Sequence, residues 1–207
     1  MLSGWRYRLA FLGAERRVVD GLWIGAASPH WNDDEKKLLS KVVSAVRLLA
    51  THDRNRFARI RRDLKRVFVY WIPGSWGRYF APLDMCLLDA AFVADPATTP
   101  ELLAATIVHE ATHARLTKWG VGYDRSIMPR VERLCLQAEL NFAAKLPNPQ
   151  RVREVAEASM AAPDAYWSST ERAERYRQAY MQAVDRLPAP KWLRRLLKKR
   201  VARKGAA

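Results

Sequence analysis

The chain has 207 residues, 49% of them hydrophobic and eight of them tryptophan, which is enough apolar surface for a core of its own and excludes a disordered chain. Its formal net charge of +15 creates a long-ranged positive potential that attracts phosphate, acidic lipid or an acidic partner, and says nothing about fold. Two cysteines, Cys86 and Cys135, are too few for a disulfide framework and sit in apolar stretches, as buried free thiols do in a reducing compartment.

From the N-terminus, arginines and Glu15 interrupt the apolar residues before a signal-peptide core or a membrane span can form, so a cytoplasmic protein is expected, with peripheral attachment to a membrane left open. Leu38, Leu39, Val42, Val43, Val46 and Leu49 recur at helical spacing and predict a helix to about Thr51, capped by Asn32 or Asp33. RNRFARIRRDLKR predicts a second helix with Phe57, Ile60 and Leu64 inward and its arginines solvated or facing phosphate. The β-branched and aromatic run at 67 to 72, ended by Pro73-Gly74-Ser75, reads as a strand, and another is expected within YFAPLDMCLLDAAFV. Together they predict a small antiparallel sheet in a mainly helical α+β domain.

Residues 107 to 116 read IVHEATHARL and lie inside the best-punctuated helix of the chain. Thr99 can cap it, Pro100 suits the first helical position, Glu101 favours the positive end of the dipole, and Gly120 can close it. His109 and His113, four residues apart, project from adjacent turns of one face, so two imidazole nitrogens can converge on one ion. Glu110 sits beside that face, where it can reach a metal-activated water and take its proton. Without a metal, both histidines would be ordinary residues hydrogen-bonded in place.

Catalytic zinc takes three protein ligands, so a third is required. The next predicted helix, from Ser126 or Pro129 to Lys145, offers Glu132 and Glu139 seven residues apart on one face. HExxH followed by a glutamate on the next helix resembles the gluzincin group of zinc metallopeptidases, over about residues 67 to 145. That resemblance implies a zincin-like core with Zn2+ held by His109, His113 and Glu132, Glu110 as general base, and the strand at 84 to 88 as the edge along which a peptide substrate lies. Glu139 is left as a partner of a ligand imidazole or as an alternative ligand, and Tyr123, Arg130, Tyr176 and Tyr180 as candidate oxyanion stabilisers. The pattern departs from thermolysin-like enzymes at Leu136, where they carry an aspartate, and no exopeptidase signature is present.

Helices are expected at about 149 to 161 and 168 to 186. After Pro188 and Pro190, the tail from Lys191 to Lys204 carries eight Lys or Arg and no acid, with Trp192, Leu193, Leu196, Leu197 and Val201 at helical spacing. This is a basic amphipathic helix suited to an acidic membrane surface or partner, or packed on the domain. The expected organisation is one metallohydrolase domain over 1 to 187 and a basic tail over 188 to 207. A zinc metallopeptidase is the leading expectation. The alternatives are a catalytically silent metal-binding fold and a basic protein that binds nucleic acid or a membrane surface.

Overall fold

The computed structural model describes residues 7, 10, 13 to 27, 34 to 122, 126 to 187 and 189 to 204. In chain order the elements are β1 (Glu15–Val19), β2 (Leu22–Ala26), α1 (Glu35–His52), α2 (Arg54–Asp63), β3 (Arg66–Tyr70), β4 (Gly77–Phe80), β5 (Met85–Asp89) and the short α3 (Ala90–Ala94). Then come α4 (Pro100–Lys118), α5 (Met128–Ala143), α6 (Gln150–Met160), α7 (Ser169–Arg186) and α8 (Lys191–Lys204). The described structure is mainly helical, as the sequence predicts, and none of its helices is long and apolar enough to cross a membrane.

The sheet differs from the expectation. Among the described residues it has five strands in the order β1-β2-β3-β5-β4, and it is mixed: β2 and β5 both run parallel to β3, whereas β1 and β4 pair antiparallel with β2 and β5. The parallel pairing arises because helices α1 and α2 carry the chain from β2 back to the start of β3, a crossover that permits parallel neighbours. The strand at 84 to 88 is consequently not an edge. Met85–Asp89 lies between β3 and β4 and is buried along its whole length, and the edge strand on this side is Gly77–Phe80, β1 being the other edge.

Side-chain alternation along the strands splits the core in two. Val67, Val69, Cys86 and Leu88 face the helices and join Leu39, Val42, Val46, Leu103 and Ile107, while Phe68, Met85 and Leu87 pack with Tyr7 and Ile72 on the other face. Helix α4 is buried nearly all round, from Leu102 to Ala114, because α1, α5 and the sheet enclose it. Thr99 caps it by accepting from Leu102 N at 3.3 Å, as expected. Helix α1 is capped by Asp34, which accepts from Lys36 N at 3.1 Å; the expected caps Asn32 and Asp33 lie outside the described residues.

Asp63 ties α2 to α4. Its buried carboxylate accepts from Arg115 Nε at 3.0 Å and Nη2 at 2.9 Å, and pairs with Arg62. Burial by itself would raise its pKa, but the hydrogen bonds from Arg62 and Arg115 outweigh this and hold it below the ordinary carboxylate value of 3.8. A depressed folded-state pKa stabilises the fold above the unfolded value and ceases to do so as the pH falls through the folded one. Asp63→Ala is therefore expected to cost about 2 kcal/mol near neutrality, because it strands the half-buried Arg115. The difference from wild type should shrink below about pH 4, where wild type loses the same interaction. Thermal melts of both chains from pH 7 to pH 3 check this; a constant difference across the range contradicts it.

Candidate metal centre

Helices α4 and α5 run side by side and bring the two halves of the motif together. His109 and His113 meet with their Nε2 atoms 3.1 Å apart. Glu132, in the second turn of α5, places Oε2 at 3.2 Å from His109 Nε2 and 3.6 Å from His113 Nε2. One turn pair further along, Glu139 Oε1 lies 2.6 Å from His109 Nδ1, the other nitrogen of that ring. All these side chains are buried or nearly so, with His113 at 5%, Glu132 at 4% and Glu139 at 7% exposure.

Two histidine nitrogens and one carboxylate oxygen thus form a triangle with edges of 3.1, 3.2 and 3.6 Å. Around tetrahedral zinc, with bonds of roughly 2.0 to 2.1 Å, neighbouring ligand atoms lie about 3.3 to 3.4 Å apart. The donor set fits a divalent cation in chemistry and in spacing. Glu139 on the far nitrogen of His109 has the arrangement that fixes the tautomer and orientation of a ligating imidazole.

Without a cation, the acids around the cluster favour a proton on His109. Glu110, Glu132 and Glu139 are buried carboxylates that all act electrostatically on this cluster, an arrangement that favours positive charge there. Burial alone would lower the pKa of His109, yet the hydrogen bonds to Glu132 and Glu139 raise it well above the ordinary imidazole range. Glu132, whose pKa burial would raise, is held below the ordinary carboxylate range by hydrogen bonds from His109 and His113.

Cys135, between the two glutamates on α5, was not anticipated at the site. Its Sγ and the ligating atoms of His109 and His113 all lie within 4.8 Å of one another, so it is a second candidate for the third position. Burial, reinforced by Glu132, Glu110 and Glu139, pushes its thiol well above the ordinary range while no cation is bound. Glu132 Oε2, at 3.2 and 3.6 Å from the two ring nitrogens, has the better-matched spacing for the third donor. A lone cysteine in an apolar run carries little signal, and only its place one turn from Glu132 would have marked it.

Glu110 is 6% exposed and faces strand β4. The strand comes this close because position 77 is glycine: a Cβ there would lie 2.8 Å from Thr106 Cγ2 and 2.9 Å from Glu110 Oε1. Gly77→Ala is expected to displace the Glu110 carboxylate or strand β4 and to destabilise the fold by about 1 to 3 kcal/mol. Thermal melts of both chains check this, and an unchanged Tm contradicts it.

Of the remaining expected site residues, Tyr123 lies outside the described residues, and Arg130 is exposed in the first turn of α5. The arginine that reaches the cluster is Arg172 of α7, whose Nη1 lies 3.1 Å from Glu132 Oε1. Its position, forty residues beyond Glu132, leaves no periodic trace that links it to the motif. No protein-family model, curated protein or solved structure matches the chain, so the chemistry of this centre is read from its own residues.

Proposed function

We propose that the chain is a zinc-dependent metallopeptidase of zincin-like architecture, in which His109, His113 and Glu132 hold Zn2+ and Glu110 is the general base. The observation that carries the reading is the triangle of His109 Nε2, His113 Nε2 and Glu132 Oε2 at metal-ligand spacing. When bound, zinc polarises the scissile carbonyl and acidifies the attacking water. Glu110 takes the proton of that water and delivers it to the leaving amine, an exchange suited to a carboxylate shielded from bulk solvent. Glu139 holds the His109 ring. Edge strand β4, which passes Glu110 at Gly77, offers backbone groups along which an extended peptide can add as a further strand.

The test is hydrolysis of an unstructured protein, such as denatured casein, by the zinc-loaded chain, with products read by mass spectrometry. Defined fragments that disappear on chelation are expected; a zinc-loaded chain that leaves the substrate intact contradicts peptidase activity.

Helix α8 supports a second, separate property, attachment to an anionic membrane surface. Trp192 and Leu196, one turn apart, are 67% and 58% exposed, and Lys191, Arg195 and Lys199 are exposed on the same helix. Vesicles containing phosphatidylserine should sediment the full chain at low salt and not a Trp192→Ala/Leu196→Ala chain; equal sedimentation of both contradicts the assignment.

A further inference from the structure

Helix α7 reaches the cluster at one residue and the segment before β4 at two others, the three lying at successive four-residue intervals. Arg172 reaches Glu132 and the sulfur of Met128 on α5. Tyr176 meets the turn before β4, where the Cβ that any other residue would carry at Gly74 would lie 2.9 Å from the Tyr176 backbone, and the guanidinium of Arg78 sits 5.4 Å from the Tyr176 ring. The Tyr180 ring lies 5.3 Å from that of Trp71. Only Val184 of α7 is fully buried among its described side chains, so these contacts are what join the helix to the sheet and to α5, beside its local contacts with Tyr166 and α8. A helix that buries so little opens at modest cost unless a specific contact holds it.

The contact at Glu132 divides that carboxylate. Oε2 faces His109 and His113, while Oε1 faces Arg172. Arg172 is 42% exposed against 5% for Glu132, so the guanidinium is the solvent-side partner of this pair. A carboxylate with both oxygens free could turn or bind a cation through both. With Oε1 engaged by a charged donor, one oxygen is presented in a fixed direction.

We propose that Arg172 is a positioning residue for the metal: it holds Oε1 of Glu132 so that Oε2 alone is directed at the two histidines, and it thereby couples the docking of α7 to the loading of the centre. This rests on the reading of the cluster as a metal site. Because the coupling is a free energy shared between two events, it acts both ways: a loaded centre holds α7 down, and a released α7 weakens the centre.

The experiment is a competition titration with a zinc chelator on wild type, Arg172→Ala, Arg172→Lys and, as a control on the same helix, Arg177→Ala, whose side chain pairs with Glu174 in solvent. The visible absorption of the cobalt-loaded proteins is recorded alongside, because it reports the coordination of the ion and not the stability of the helix. Arg172→Ala is expected to bind zinc about 10- to 100-fold more weakly and to change the cobalt spectrum. Arg172→Lys should recover part of both, and Arg177→Ala should match wild type. Equal affinity or an unchanged spectrum in Arg172→Ala overturns the positioning role while leaving the metal site standing, as does an equal loss in Arg177→Ala. A wild-type chain that takes up neither metal overturns the site and the role together.

Discussion

A Glu110→Gln chain is expected to keep its zinc and to hydrolyse peptide about 10³-fold more slowly than wild type, within the range that a positioned general base contributes. The metal should stay because the three proposed donors, His109, His113 and Glu132, form their triangle without Glu110. Glutamine has nearly the same shape and fits the space beside Gly77 and Thr106 that glutamate fills, so the fold is undisturbed. What it lacks is the ability to accept a proton. Kinetics on a fluorogenic peptide, with metal content measured on the same samples, separate the two effects: a wild-type rate in Glu110→Gln removes Glu110 from the reaction.

The second large effect is on stability. Without a cation, three buried carboxylates, Glu110, Glu132 and Glu139, act on one cluster whose positive partners are the two histidines and Arg172 at Glu132. A metal that binds the folded chain and not the unfolded one stabilises it by mass action, by about 4 kcal/mol when free zinc exceeds the dissociation constant a thousandfold. For a chain of this length each kcal/mol is worth roughly 2 to 4 °C in Tm. Chelation should therefore lower Tm by about 8 to 16 °C, and zinc added back should restore it. Calorimetry on chelated and reloaded protein checks this, and coincident melts would show that the cluster is satisfied without a metal.

The helices were legible because each carries its own punctuation. Thr99-Pro100-Glu101 before an apolar run specifies the start of α4 locally, and the observed helix begins at Pro100. His109 and His113 were legible for the same reason, since spacing on one helix is a property of that helix alone, and Glu132 and Glu139 followed from a second helix expected to run back beside it. The sheet was harder to read. Strand direction depends on which strands become neighbours, and the parallel pairing of β2 with β3 spans residues 23 to 69, a distance no local pattern records. The first hairpin did leave a signal: Asp20-Gly21, between two β-branched and aromatic segments, forms its two-residue turn with φ of 47° and 83°. Arg172 and Cys135 entered the site through tertiary packing, so neither could be assigned from spacing to the histidines.

The measurement that bears most directly on the centre is the zinc content of purified wild type, determined by elemental analysis beside His113→Ala and Glu132→Ala. The expected result is near one zinc per wild-type chain and loss of it in both variants. A wild-type chain free of zinc, even after incubation with the metal, would contradict the account, and zinc retained in Glu132→Ala would move the third ligand to Cys135, whose Sγ lies within 4.8 Å of the ligating atoms of both histidines.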